Sequence, residues 1–379
     1  MAIDLAFSAE QEHLRQAARD FFQRRCPSSV VREVEEGGLG HLPDLWREMA
    51  AMGWLGITLP EAHGGAGGTF LDAYPLAEEM GRFLVPGPYL DTVAVAGDVI
   101  LAAGTDEQRR TILPAIAAGD CIVSLAAVEP DGGFGPGAIT MAAARRGGDV
   151  VLDGTKLLVS HASSADHLLV PARTGDDRSG DGTTLFLVDP AARGVTLTAL
   201  PTIGSGPLHA VSFDGVVVPA ESVVGEVDRG WSALGPAATK AAVLQTGTIV
   251  GAAHAVLDMT NQYAKDREQF GNPIGRYQAV QYLVTDVLID LHRADLLARQ
   301  AAYLIDAGKP FAREAAIAIA FGKDAAAHLH RQAHEVHAGV AFILDHDLQL
   351  YSRRSKYWEN NLGDARYHRE QVVRELQLA

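Results

Sequence analysis

The chain has 379 residues, 47% of them apolar, which supports a substantial buried core in two or three domains and excludes a disordered polymer. Its formal charge of −15 excludes a phosphate-backbone partner, because nucleic-acid binders carry a basic face. Two cysteines, Cys26 and Cys121, give neither a disulfide framework nor a metal-ligand spacing; with no basic start leading into an apolar run and no membrane-length stretch, a cytoplasmic protein without membrane contact is expected.

Ser8 and Gln11 fit a capping box, and Leu14, Ala17, Phe21 and Phe22 are expected on one face of the helix that it opens. Helical text continues to about Gly119, broken by EAHGGAGG at 61–68 and VPGPYL at 85–90, where glycine and proline read as loops. From Cys121 to Gly225 short runs such as VVLDG, LLVSH, HLLVPA and TLFLVD alternate with Gly, Pro and Asp and predict strands. The run TGDDRSGDG at 174–182 reads as a solvated hairpin loop. Helix returns after DRGW at 228–231, and Val280, Leu283, Val284, Val287, Leu288 and Leu291 repeat as in one long bundle helix. The order predicts an α+β chain: an all-helical unit over 1–120, a β unit over 121–226 and a helical bundle over 227–379, with a cofactor cleft where they meet.

Four motifs in order, PEAHGGAGG, VEPDGG, DGTKLLVSHASSADHLLVPAR and YAKDREQFGNPIGRYQAVQ, resemble the acyl-CoA dehydrogenase family over nearly the whole chain. That resemblance implies its fold: an N-terminal helical domain, a central β-barrel or sheet domain and a C-terminal four-helix bundle, in dimers or tetramers. It implies FAD as cofactor, an acyl-CoA substrate desaturated between its α- and β-carbons, and electron-transfer flavoprotein as a partner. In REQFG, Arg267 and Phe270, with Gln269 between them and Gln278 beyond, are implied to reach a neighbour's FAD, a guanidinium fork suiting phosphate and a phenyl ring suiting adenosine. The bland alternative pairs Arg267 with Asp266 or Glu268 and plugs the bundle with Phe270.

The flavin ring is implied to lie against Ala126 to Val128 and Leu158 to Ser160. Val128 replaces a threonine, Leu158 an aromatic and Phe134 a serine, while Ser160 keeps a hydroxyl; backbone N–H groups can still serve the ring. The QxxGGxG motif appears as EVHAGVA, with Glu335, Ala338 and Ala341 as departures and Gly339 retained. The α-proton needs a carboxylate of raised pKa, yet the two positions that the family uses fall on Leu362 and Ala241. This pattern resembles the heteromeric actinobacterial type, in which two homologous chains build one FAD site and only one supplies the base. Glu359 is an alternative base, set against an ordinary solvated charge beside Arg353, Arg354 and Lys356; Asp345 and Asp347 lie nearer the FAD side. A homo-oligomer with such an unconventional base, or a non-enzymatic acyl-CoA-binding or assembly protein, are the other readings. His330 and His334 have a zinc-like spacing within HLHRQAHEVH without H-E-x-x-H, HGGAGG lacks a nucleophile elbow, and no dinucleotide fingerprint is present.

Overall fold

The computed structural model describes residues 5–38, 40–175, 182–204 and 206–377. Six helices come first: α1 (Ala9–Arg25), α2 (Ser28–Gly37), α3 (Pro43–Ala51), α4 (Phe70–Arg82), α5 (Asp98–Ala103) and α6 (Asp106–Ala118). The Ser8 Oγ accepts the Gln11 N–H at 3.2 Å and the Gln11 side chain accepts the Ser8 N–H at 3.0 Å, the reciprocal cap expected from the sequence. The buried ridge of α1 carries Ala18 and Phe22; Ala17 is exposed, because Leu14, Ala18 and Phe22 form the i, i+4 row and Ala17 stands a quarter-turn away. The 61–68 stretch is a loop holding one short 3₁₀ turn, Glu61–His63. Past the 85–90 loop a π-helix, Leu90–Gly97, runs into α5. Such i→i+5 segments are rare and concentrate at functional sites.

The middle of the chain is one sheet: β1 (Val123–Leu125), β2 (Ala142–Arg146), β3 (Asp149–Ser160), β4 (His167–Arg173), β5 (Thr183–Val188), β6 (Val195–Leu200), β7 (Leu208–Val218) and β8 (Val223–Val224). Its order is β6-β7-β3-β2-β4-β5-β8, with β1 parallel to β4. Of the barrel or sheet expected, the structure has the open sheet: among the described strands β6 pairs only with β7 and β8 only with β5, so the ends never meet. Antiparallel β4 and β5 flank the expected 174–182 hairpin loop, whose residues 176–181 lie outside the described residues.

The last part holds α7 (Gly230–Asp266), a two-strand hairpin β9 (Glu268–Gln269) and β10 (Asn272–Pro273), then α8 (Gln278–Asp306), α9 (Ala312–His337), α10 (Leu348–Asn360) and α11 (Ala365–Glu375). α7 packs on α4 at backbone distance: a Cβ on Gly81 would stand 1.8 Å from the Thr248 carbonyl oxygen, and one on Gly251 1.7 Å from that of Glu78. Only glycine permits this approach. On α8, Val287 and Leu291 are buried, Leu283 and Val284 half-buried, and Leu288 is 37% exposed. Leu288 therefore stands at the exposed edge of the expected core face, while Tyr282, Ile289 and Leu296, spaced i, i+7, form a separate outward row. No helix among the described residues is long and apolar enough to cross a membrane.

Candidate active site

A cleft opens where the sheet, the start of α7 and the segment after α10 meet. One wall is Ala127, Val128 and Phe134, the other Leu157, Leu158 and Ser160, closed by Trp231, Leu234 and Leu362. A bulge between Lys156 and Val159 shapes the second wall. It forces Leu158 to φ +55° and leaves its side chain 47% exposed, a conformation that a non-glycine residue adopts only when its surroundings enforce it. The Leu157 N–H donates to the Val128 carbonyl at 2.8 Å and so ties the two walls together. Beneath them lies an ion pair that the motifs contained but sequence reasoning passed over: Lys156, 0% exposed, donates to Glu129 at 2.6 Å. Glu129 also accepts the N–H groups of Thr140 and Met141 and the Thr140 hydroxyl. Burial opposes both charges; it brings Lys156 down to about 8, while for Glu129 the lysine and these hydrogen bonds prevail and hold it below the usual carboxylate range.

Ala126 lies behind the wall, fully buried, with its N–H donated to the Leu169 carbonyl. Ser160 Oγ is 2.8 Å from the Tyr357 hydroxyl, an unforeseen partner supplied by α10. Phe134 packs on Tyr367 with ring centroids 5.6 Å apart.

Of the two positions implied for the base, Leu362 lines the cleft at φ +56° and Ala241 is fully buried in the core. The Leu362 segment is held by buried Lys323, whose ammonium donates to the Trp358 and Asn361 carbonyls at 2.7 Å each. Glu359 is bound to Lys356 at 2.8 Å and is not part of the cleft lining, which matches the solvated-charge reading. Asp347 pairs with Arg32 at 2.8 Å, and the Asp345 carbonyl accepts from the same guanidinium. The carboxyl group that does line the cleft is Asp91, on the π-helix. Burial pushes it up to about 7, against the pull of the Leu125 N–H. Its only sequence signal is an acid inside the apolar run YLDTVAVAG.

At the far end of α7, Arg267 is the C-cap, and Phe270 and Gly271 turn the β9–β10 hairpin at φ +52° and +78°. The bland alternative fails at each point. Asp266 is taken by Gln262, no hydrogen bond or ion pair engages the Arg267 side chain among the described residues, and Phe270 is 92% exposed. The hairpin is braced instead by the Tyr277 hydroxyl, which donates to the Gln269 carbonyl at 2.9 Å, and by the Ile274 N–H, which donates to the Arg267 carbonyl. The side chains of Gln269 and Gln278 are exposed on either side of the turn.

Glu335 and Gly339 are exposed, and Ala338 sits at φ +53°, but Ala341 is fully buried against Leu329, Ala333 and Leu348 and is not on a ligand face. The histidines near them serve packing. His328 pairs with Asp290, His330 and His334 both face Ser352, and His337 stacks on Tyr263 at 4.4 Å. Burial pushes His330 down to about 3 and His337 to about 4, so both are neutral.

Three family profiles cover the chain: the acyl-CoA dehydrogenase N-terminal domain over residues 8–120, its middle domain over 124–216 and its C-terminal domain over 228–377. Acyl-CoA dehydrogenase FadE27 of Mycobacterium tuberculosis is 34% identical over 93% of this chain and 92% of its own. The caffeyl-CoA reductase-Etf complex subunit CarC of Acetobacterium woodii is 29% identical over 92% and 93%. Among solved structures, the ChsE4-ChsE5 complex from Mycobacterium tuberculosis matches with a TM-score of 0.89 and 29% identity over 100% of both chains. The chain belongs to the acyl-CoA dehydrogenase family, FAD-dependent oxidoreductases acting on CH–CH bonds.

Proposed function

We propose that this chain is a subunit of a flavin-dependent acyl-CoA dehydrogenase, that its Arg267 hairpin completes the FAD site of a homologous neighbour, and that the neighbour supplies the α-proton acceptor. The observation carrying this reading is the hairpin: an unpaired guanidinium and a 92% exposed phenyl ring held out on a braced turn. Exposing that much aromatic surface is unfavourable unless something covers it.

The residues fit the dinucleotide. Arg267 offers a donor fork to phosphate oxygens, Phe270 a face for adenine and Gln278 an amide. In the chain's own cleft, Ser160 offers a hydroxyl, and the main chain around Val128 and the Leu158 bulge is open to a flat ring. A flavin bound there would supply the hydride acceptor for the β-carbon of the thioester. The α-proton then needs a carboxylate, and with leucine at 362 and alanine at 241 neither usual position provides one.

The exposed row Tyr282, Ile289 and Leu296 on α8 supports burial against a second chain. The related ChsE4-ChsE5 structure is a complex of two proteins, which supports a hetero-oligomer here. The relative CarC is a subunit of a reductase-Etf complex, which supports electron-transfer flavoprotein as a partner. Co-expression with a homologue that carries glutamate at the position of Leu362 or Ala241 is expected to yield an FAD-loaded, active complex. This chain purified alone with full flavin and full desaturase turnover would overturn the reading.

A further inference from the structure

Ser160, at the end of β3, lines the cleft, and its hydroxyl is also engaged from α10: Ser160 Oγ and the Tyr357 hydroxyl stand 2.8 Å apart. On distance alone either oxygen can donate; their surroundings decide which does. Burial, and after it the Asp91 carboxylate, opposes a phenolate and pushes Tyr357 up, so it stays a neutral phenol whose proton needs an acceptor. Among the described residues Ser160 Oγ is the one acceptor that this hydroxyl meets at hydrogen-bond distance, and the Asn361 side chain acts on it as a donor. A serine that accepts the phenol's proton has its own left to give, and the cleft is where it can go.

Both partners are fixed. Ser160 is paired with Leu208 on β7, and the end of α10 is clamped by the buried Lys323 ammonium on the Trp358 and Asn361 carbonyls. We propose that Tyr357, which is outside the cleft lining, is a positioning residue that holds the Ser160 hydroxyl as a one-way hydrogen-bond donor toward the group bound in the cleft. The proposal rests on the flavin reading above and adds a residue to it. A lone serine hydroxyl divides its proton among staggered directions. A donor on its oxygen removes that choice before the ligand arrives and polarises the O–H in the same sense.

The test compares wild type with Ser160→Ala, Tyr357→Phe and the double variant, each as the full-length chain. Without flavin, urea denaturation reads the direction of the bond. Ser160→Ala strands the buried phenol proton, whereas Tyr357→Phe leaves a serine that still borders the open cleft. The first is therefore expected to lower the midpoint more than the second, and adding Tyr357→Phe to Ser160→Ala is expected to raise it again. FAD titration, followed by flavin absorbance on the chain and on its complex with the homologous partner, reads the consequence. Tyr357→Phe is expected to weaken FAD by about threefold and to displace its visible bands, with no further change once residue 160 is alanine. Equal losses from Tyr357→Phe in both backgrounds would assign it to packing and overturn the proposal, as would a lower midpoint for Tyr357→Phe than for Ser160→Ala. FAD bound by wild type with affinity and spectrum untouched by Tyr357→Phe overturns the proposal alone. A wild type that takes up no FAD, by itself or in the complex, removes the flavin reading and the proposal with it.

Discussion

Replacing Lys156 by Met tests how the cleft is held in shape. The ammonium is fully buried, 2.6 Å from a Glu129 carboxylate that is 4% exposed, and the pair lies under both walls through the Leu157 to Val128 hydrogen bond. Methionine fills a similar volume and leaves Glu129 with the Thr140 and Met141 donors but without its counter-charge. Stripping one partner from a buried pair costs about 3–5 kcal/mol, because the other charge stays desolvated. Glu129→Leu should cost a similar amount. If the loss comes from the orphaned charge, the double variant recovers most of it, so the two single effects exceed the double by several kcal/mol. Urea denaturation of the four proteins, followed by circular dichroism, measures the cycle. Additive losses, or a Lys156→Met variant within about 0.5 kcal/mol of wild type, would refute the argument.

Asp91→Asn addresses pH. An acid whose folded pKa, about 7, exceeds its ordinary 3.8 is bound as the neutral form, so its penalty is absent below the ordinary value, grows as pH rises and is complete above 7. That acid should make the wild type lose about 2–3 kcal/mol of stability between pH 5 and pH 8 relative to the Asn variant; parallel pH profiles would contradict this. Gly251→Ala drives a methyl into the Glu78 carbonyl and requires α4 and α7 to part. It should lower stability by about 3 kcal/mol or more, whereas a change below about 1 kcal/mol would show that the helices yield easily.

Local chemistry was readable in the sequence and long-range placement was not. The Ser8 cap, the glycine loop at 61–68 and the strand rhythm depend on neighbours in the chain, and they appear where expected. The slip from Ala17 to Ala18 is one position on a helix whose flanking residues are polar on either choice, so periodicity alone could not separate them. The bulge at Leu157 and Leu158 is invisible because KLLVS reads as an unbroken run; the shift appears only in register with β7. Leu288 repeats correctly for a helix but faces outward, since periodicity does not say which neighbours exist. Arg267 and Phe270 are legible through the resemblance, and only the structure reveals that among the described residues the Arg267 side chain has no hydrogen bond or ion pair and that Phe270, 92% exposed, meets the Tyr277 ring edge-on. Asp91 and Tyr357 were missed because their site is assembled from the π-helix, β3 and α10, far apart in the chain.

Completion of the FAD site in trans by the hairpin is the central claim. Its most direct test is FAD titration of the complex between this chain and its homologous partner, with Arg267→Ala introduced into this chain alone. FAD affinity at the partner's site is predicted to fall by about tenfold or more, as expected for a lost charge-assisted phosphate contact, while the complex stays assembled. Unchanged FAD affinity and stoichiometry in an intact complex would contradict it.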